Sequence, residues 1–209
     1  MGCRVGVQAK AYVLSAPPAT LHPSLLALFT LKPATGADFA TIRDIAHRTW
    51  PVTFADILSP EQMAYMLDMM YSEAALREQT GARGHRFLLA EDAGGEPTGY
   101  ASFELHYRPR TTKLHKLYVL PEAQGRGVGQ TLTAAVERAA REGGDEVLRL
   151  DVNRDNRAVG FYERAGFTKV AEAVTDIGRG YVMDDLVYER PVPALTSVPP
   201  ITPPRTASR

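Results

Sequence analysis

The sequence predicts an α/β fold in which an antiparallel meander leads into a strand, a glycine loop, a helix and a further strand. Three observations predict it. The apolar period changes along the chain in the order β-α-α-β-β-β-α-β-α-β-β. Three strand-like runs follow one another with short turns between residues 85 and 120. The run QGRGVG at residues 124–129 then joins the last of these strands to an amphipathic helix.

The first part of the chain is predicted to contain one strand and the helices that follow it. FTLKPA has the composition of a short strand, and DFATIRDIAHRTW repeats apolar residues on one helical face. SPEQMAYMLDMMY predicts a second helix, because Ser59 is a suitable N-cap and Pro60 suits the first helical position. SEAALREQ then continues as a further helical segment.

The second part of the chain is predicted to be rich in strands. HRFLLAED, TGYASFELHYR and TTKLHKLYVL form the meander, and EVLRLDV has the apolar content of a buried strand. The helix after the glycines carries an apolar stripe formed by Val128, Leu132, Ala135, Val136 and Ala139. NRAVGFYERAG predicts a short helix that ends at Gly166, and FTKVAEA and YVMDDLVYER predict the last two strands.

Length and composition indicate one domain with a tail at each end. The chain has 209 residues, of which 44% are hydrophobic and 23% charged, as in ordinary globular proteins. We assign residues 29–190 to the domain, residues 1–28 to a poorly ordered N-terminal arm and the Pro-rich residues 191–209 to a flexible tail. The formal net charge is zero, so we expect neither a nucleic-acid nor a membrane partner.

Cysteine content and hydropathy predict a cytoplasmic protein. Cys3 is the only cysteine, so the fold depends on no internal disulfide. No apolar run approaches the roughly 20 residues that a membrane-spanning helix needs. Pro17 and Pro18 interrupt the short apolar stretch near the start, which disfavours a signal peptide.

The glycine run is typical of a turn that binds a phosphate group. Glycines just before a helix allow the free N–H groups of its first turn to surround an anion. A tight turn without a ligand is the alternative. A dinucleotide-binding α/β protein is disfavoured, because Gln130 stands where the third glycine of that fingerprint is expected. A Walker P-loop is disfavoured by the absence of its Gly-Lys-Ser/Thr run.

Two blocks of sequence closely resemble the GNAT acyltransferase superfamily. LYVLPEAQGRGVGQTL contains the pattern [Q/R]-x-x-G-x-[G/A], which is matched by Gln124, Gly127 and Gly129. LDVNRDNRAVGFYERAGF follows, and its Asn156 and its FYERAGF run are similar to the family's second block. The resemblance covers roughly residues 30–190, and the order of the elements agrees throughout.

The resemblance implies a particular α/β (α+β) fold and a co-substrate. The fold is a mixed, mostly antiparallel central sheet with two splayed strands, flanked by helices. The co-substrate is acetyl-CoA. The turn that follows Gln124 would hold its pyrophosphate, and the strand before the turn would pair with its pantetheine arm. The residues implied are Leu117, Tyr118, Val119, Gln124, Gly125, Arg126, Gly127, Val128, Gly129 and Asn156.

The resemblance also implies acyl transfer to a primary amine by direct attack. Tyr162 matches the position of the general acid that protonates the leaving thiolate, with aromatic packing against Phe161 and Phe167 as the alternative. Glu104 and His115 are the candidate bases, since strand alternation places His115 on one face with Leu117 and Val119. A cross-strand polar contact is the alternative for each base.

The acceptor is not identified by the sequence beyond an amine of a small molecule or peptide. The helices between residues 38 and 79 correspond to the family's acceptor wall, and their methionine-rich run would suit an adaptable surface or a core. Trp50 is a candidate for lining the site. A non-catalytic acyl-CoA sensor is the alternative function. We also expect a homodimer whose interface is formed by an exposed last strand. His47, His85 and His106 lack metal-ligand spacing, so no metal is expected.

Overall fold

The computed structural model describes residues 29–194, so the predicted arm and most of the predicted tail lie outside the described residues. The predicted strands and helices are all present. They are β1 (Thr30–Pro33), α1 (Phe39–Phe54), α2 (Pro60–Tyr71), α3 (Glu73–Thr80), β2 (Arg86–Glu91), β3 (Pro97–Arg108), β4 (Thr111–Val119), α4 (Val128–Glu142), β5 (Val147–Asn153), α5 (Val159–Arg164), β6 (Thr168–Gly178) and β7 (Tyr181–Pro191).

Two elements are longer than the sequence indicates, and packing explains both. Helix α1 continues past Pro51 to Phe54, because Thr53 and Phe54 are buried in the core and hold the last turn in place. Strand β6 continues to Gly178, because it pairs with β7 along almost its whole length. Ser59 caps α2 as predicted, since its Oγ accepts a hydrogen bond from Gln62 N at 3.2 Å.

The strands form a single seven-stranded sheet in the order β1-β2-β3-β4-β5-β7-β6. Among the strands of residues 29–194, only the β4–β5 pair is parallel, and every other neighbouring pair is antiparallel. The sheet is therefore mixed and mostly antiparallel, as predicted. Helix α4 is the connection between the two parallel strands, which is the crossover that parallel pairing requires.

The parallel pair opens halfway along its length. Pairing joins Thr111 to Val147 and ends where Leu114 faces Leu150. Beyond that point β4 continues to Val119 alongside β3, whereas β5 continues to Asn153 alongside β7. The two strands are thus splayed, and a V-shaped gap lies between their carboxyl ends.

A bulge interrupts the β3–β4 pairing next to this gap. Ser102 pairs with Lys116 and Phe103 pairs with Leu114, so His115 is an extra residue on β4. His115 and Lys116 consequently line the same cavity although they are consecutive. Regular alternation resumes after Lys116, which directs Leu117 to the other face. The predicted shared face of His115 with Leu117 and Val119 is therefore wrong, because the bulge resets the alternation.

An aromatic cluster forms the core beneath the sheet on the side of α1 and α2. Trp50 is fully buried, with its ring 4.8 Å from Phe54 and 5.9 Å from Tyr71 by centroid, and it stacks on Tyr118 at 6.4 Å. The Tyr100 hydroxyl donates to the Tyr71 hydroxyl at 2.9 Å. Trp50 is thus a core residue, and the expectation that it lines the site is wrong.

One edge of the sheet is largely uncovered. Strand β6 is the edge strand, and most of its side chains are exposed, including Val170 and Val174. The last strand of the chain, β7, lies inside the sheet instead, between β5 and β6. A homodimer stays a prediction, and its exposed strand would be β6. No helix between residues 29 and 194 combines the length and apolar character that spanning a membrane requires.

Candidate active site

The glycine run forms a tight turn that starts α4. Gly125 and Gly127 have φ angles of 75° and 88°, a left-handed conformation in which a side chain would be strained. Gly127 is the N-cap of α4, and Thr131 N donates to its carbonyl at 3.0 Å. The N–H groups of the first helical turn have no partner within the helix, and the helix dipole gives this end positive character. The geometry suits an anion.

The turn is tied directly to the strand that borders the gap. Gln124 Nε2 donates to Val119 O at 3.2 Å, so the first residue of the glycine signature fixes the end of β4. Leu117, Tyr118 and Val119 are all buried. Their main chain beyond Leu114 lies on the gap side without a β5 partner. What these residues can offer a ligand in the gap is therefore backbone hydrogen bonding rather than side-chain chemistry.

Asn156 lies across the gap, just after β5. Its backbone N–H donates to Asn153 O at 3.1 Å, and its Oδ1 accepts from Ala158 N at 2.8 Å. Its Nδ2 is buried, and residues 29–194 offer it no hydrogen-bond partner. A buried donor without a partner is costly, so this atom is available to a bound acceptor such as an amide carbonyl.

Tyr162 lies on α5, in the segment that begins at Asn156. Its ring is buried and makes edge contacts with Phe161 and Phe167, at centroid distances of 5.3 and 5.6 Å. The aromatic packing named as the alternative is therefore present. Packing fixes the ring without removing its hydroxyl, so the assignment as general acid stays a prediction.

Glu104 and His115 are in direct contact on the opposite side of the gap. His115 Nε2 lies 2.9 Å from Glu104 Oε2. His85, at the residue before β2, stacks on the His115 ring at 3.9 Å, and its Nε2 lies 3.8 Å from the same oxygen. Sequence reasoning missed His85, because its partners are brought to it by strand pairing rather than by spacing in the chain.

Burial sets the proton affinities of this cluster. It lowers the pKa of His115 to about 2, with further lowering by His85 and by the cations around it, and it lowers the pKa of His85 to about 4. Burial raises the pKa of Glu104 above its usual value, partly opposed by the charge of Lys113. At neutral pH both imidazoles are uncharged, and the carboxylate is the more basic group.

Lys116 is a second group that the sequence reasoning missed. It is 6% exposed, and its Nζ donates a hydrogen bond to Gln79 Oε1. It also lies over the Tyr71 ring, 5.4 Å from the centroid. Burial lowers the pKa of Lys116 to about 7, and the nearby charge of Arg83 lowers it further. A charged residue inside the apolar run KLYVL was the available signal.

His85, His115 and Lys116 line one cavity of about 340 Å³, and Glu104 is linked to it through its contact with His115. Its polar wall comes from β4 and from the end of α3, and its apolar wall comes from α2 and β7. The methionine-rich run is divided between two roles, because Met66 is core whereas Met69 and Met70 line the cavity. The lining residues are Met69, Met70, Ala75, Glu78, Gln79, Arg83, His85, Lys113, His115, Lys116 and Met183.

Three potential metal ligands also lie together beside the cavity. Ligand atoms of His85, Glu104 and His115 lie within 4.8 Å of one another, a grouping that the spacing of the histidines did not reveal. Lys113, Lys116 and Arg83 surround the group, and their charges lower the pKa of His115. The same charges oppose a divalent cation. The donor set suits a metal, but the field around it does not.

The fold and the site together define a structural class. It is a mixed-sheet α/β protein with a splayed pair of parallel strands, a glycine turn beside the splay and a polar cavity next to it.

Residues 54–182 match the family model described as the acetyltransferase (GNAT) domain. The chain is 31% identical over 150 residues to the spermidine N(1)-acetyltransferase of Thermoplasma acidophilum, covering 70% of this chain and 90% of that protein. The chain therefore belongs to the GNAT acetyltransferase domain family.

Two further comparisons differ in how much they cover. The chain is 39% identical over 88 residues to a mycothiol acetyltransferase of Pseudarthrobacter chlorophenolicus, which is 40% of this chain but only 27% of that protein's length. The solved PaiA N-acetyltransferase of Thermoplasma acidophilum in complex with coenzyme A superposes with a TM-score of 0.66 at 24% identity, covering 78% of this chain and 98% of that one. The second comparison supports the fold.

Proposed function

We propose that this protein is an acetyl-CoA-dependent N-acetyltransferase that acts on a primary amine of a small molecule or peptide. The observation that carries the proposal is the splayed gap between β4 and β5, which leaves the β4 main chain beyond Leu114 without a β5 partner and opens next to the Glu104–His115 pair. Family membership supports the same activity. The name of one relative, a spermidine acetyltransferase, indicates an acceptor that belongs in a first test.

The gap is proposed as the acetyl-CoA site. The N–H groups of residues 125–129 would bind the pyrophosphate, with Arg126 exposed beside them to add a charged contact. The main chain of Leu117, Tyr118 and Val119 would pair with the pantetheine arm as an added strand. The buried Nδ2 of Asn156 would donate to an amide carbonyl of the same arm.

Glu104 is proposed as the proton acceptor, and His115 as the residue that positions it. An amine is mostly protonated at neutral pH and must lose a proton before its nitrogen can attack the thioester carbonyl. The raised pKa of Glu104 makes its carboxylate the better base, while the lowered pKa of His115 keeps that imidazole neutral. The His115 N–H donates to Glu104 and holds the carboxylate in place.

Tyr162 is proposed as the general acid. Attack of the amine forms a C–N bond, and collapse of the tetrahedral intermediate breaks the C–S bond and releases the thiolate of coenzyme A. The Tyr162 hydroxyl would give that sulfur its proton, and the N–H groups near Val119 would stabilise the oxyanion. Direct transfer needs neither a covalent intermediate nor a metal. We propose that no metal takes part, since the cations around His115 oppose one.

The test follows release of free thiol from acetyl-CoA in the presence of spermidine, a thiol-free amino acid or a lysine-containing peptide. Wild type should release thiol with at least one amine class, and Tyr162→Phe should lower kcat about 100-fold or more with little change in acetyl-CoA affinity. Tyr188→Phe is the matched control, because Tyr188 is equally buried but bonds Glu163 instead. EDTA should change neither rate.

Two results would contradict the proposal. An unchanged rate in Tyr162→Phe would remove the acid assignment while leaving the transferase intact. Acetyl-CoA binding without thiol release by any amine would favour a non-catalytic acyl-CoA sensor on the same fold. The base assignment has its own readout: kcat/KM against pH should lose its acidic limb in Glu104→Gln, and survival of that limb in Glu104→Gln and His115→Ala alike would reject both residues.

A further inference from the structure

The cavity behind β4 carries a recognition pattern for one kind of acceptor. We infer that the acceptor is an amino-acid-type amine, whose carboxylate binds Lys116, whose amine meets the Glu104–His115 pair and whose apolar side chain packs against Met69, Met70 and Met183. The inference rests on the proposed N-acetyltransferase function and names its substrate class.

Lys116 is the cation of this cavity that lacks a counter-charge. The other two are already paired: Lys113 Nζ lies 2.5 Å from Asp151 Oδ2, and an Arg83 nitrogen lies 2.6 Å from Glu78 Oε1. Within residues 29–194, Lys116 Nζ has no carboxylate at ion-pair distance, and its polar contact is the neutral amide oxygen of Gln79. A buried ammonium with three N–H donors is left with capacity for an anion.

The anion position is held rigidly. Gln79 is buried, and its Nε2 donates to Met70 O at 2.8 Å, which fixes the amide so that its oxygen points at Lys116. Lys116 itself is confined by the rings of Tyr71 and Phe87, at 5.4 and 5.6 Å from their centroids. A charge that is desolvated and fixed in this way interacts strongly with a carboxylate, because little freedom remains to be lost.

The base and the cation are adjacent, as an α-amino acid requires. In such a molecule the amine and the carboxylate are attached to the same carbon, so the groups that recognise them must be neighbours. The bulge on β4 meets this condition by directing the consecutive residues His115 and Lys116 into one cavity. In a regular strand these two side chains would lie on opposite faces of the sheet.

The remaining wall suits an apolar side chain rather than a second amine. Met69 and Met70 come from α2 and Met183 from β7, and together they face the polar wall across the cavity. Methionine adapts to varied apolar shapes. A polyamine would instead bring additional positive charge towards Lys116 and Lys113. Charge therefore favours a zwitterionic acceptor over a polycationic one.

The experiment compares acceptors that differ only in the carboxylate. L-methionine is set against 3-(methylthio)propylamine, its decarboxylated form, with spermidine as a third acceptor, and kcat/KM is measured by thiol release. We expect L-methionine to exceed the plain amine at least 10-fold. Lys116→Met should remove most of that preference, mainly through the KM of L-methionine. Lys116→Gln repeats the test, and Lys32→Met, at a half-buried lysine paired with Glu91, is the control.

The outcomes separate the inference from the function on which it rests. Equal or better use of the plain amine or of spermidine, unaffected by Lys116→Met, would overturn the inference and leave the transferase standing. If no amine causes thiol release, the proposed function fails. Binding of N-acetyl-L-methionine, measured by calorimetry, then tests whether Lys116 forms a carboxylate site. Binding that is lost in Lys116→Met supports the site, and no binding to wild type overturns it.

Discussion

The two regions next to the splayed strands offer a ligand different kinds of groups. The side facing α4 is made of main chain: left-handed glycines, the first turn of a helix and an open strand edge. The cavity side is made of side chains, with two neutral histidines, a carboxylate and a buried lysine. In the proposed function, the backbone donors would recognise a group that every acyl-CoA shares. Side chains can differ from one protein to another, so the cavity side is where this chain would define its own acceptor.

The largest expected effect is the loss of kcat/KM when the carboxylate of Glu104 is removed. Glu104→Gln should lower kcat/KM by about 100- to 10,000-fold, because the amine loses its proton acceptor. The Kd of acetyl-CoA should stay within about twofold, since the backbone side is untouched. Steady-state kinetics and equilibrium titration measure the two quantities, with Glu146→Gln, an exposed carboxylate paired to Arg110, as control. A parallel loss of acetyl-CoA affinity would show that the two sides are not separable.

The second largest effect is expected from acidification, which should lower the free energy of unfolding through the two buried histidines of the cavity. The pKa values of His85 and His115 are lowered to about 4 and about 2, so below pH 6.5 the unfolded chain binds protons that the folded chain does not. Stability should fall by roughly 1 kcal/mol per histidine per pH unit between pH 6.5 and 5. Urea unfolding across this window measures the slope. The slope should flatten in a His85→Gln, His115→Gln double variant, and an unchanged slope would contradict the buried neutral state.

Replacing the buried lysine should stabilise the fold. Because the pKa of Lys116 is lowered to about 7, the folded state pays for its charge throughout the range below the unfolded pKa. Lys116→Met should raise the free energy of unfolding at pH 7 by roughly 2 kcal/mol. The gain should shrink as the pH rises from 7 towards 10, where the folded lysine is neutral. Urea unfolding at the two pH values tests this, and a destabilised variant would refute it.

The smallest effect is expected on the backbone side. Gly127→Ala forces a side chain into a left-handed conformation at the start of α4, which costs about 1 kcal/mol. The Kd of acetyl-CoA should rise about 5- to 10-fold, and the acidic limb of kcat/KM should not move. Gly36→Ala is the matched control, because Gly36 has open space around it and no left-handed φ. A shift of the pH profile would mean that the turn also shapes the cavity.

The same contrast explains how much the sequence could predict. The glycine turn and α4 were predictable because each is encoded within a short stretch, by a local motif or by period, whereas the splayed strands were implied by the resemblance to the GNAT superfamily. The cavity was only half predictable. Glu104 and His115 stood out as ionisable residues on strands, whereas His85 and Lys116 gained their roles from distant contacts. Gln79 lies 37 residues from Lys116 in the chain, so no local pattern could connect them.

Helix α1 gives a second example of what remains hidden in a sequence. Pro51 predicts an early end to the helix, yet the helix continues to Phe54 because the core holds its last turn. Trp50 was expected to line the site, but it is a core residue whose ring stacks on Tyr118. Both errors arise where tertiary packing outweighs a correct local tendency.

The bulge at His115 acts as a change of phase within one strand. Removing that residue would let β4 pair in even register with β3 from Lys113 to Val119, and the remaining side chains would keep their faces, because Leu114 and Lys116 already lie on opposite faces. The cavity would lose the imidazole of His115 and keep Lys113 and Lys116. A single inserted residue thus shifts the alternation of the strand by one position. Odd-numbered side chains before the bulge and even-numbered side chains after it therefore face the same side of the sheet.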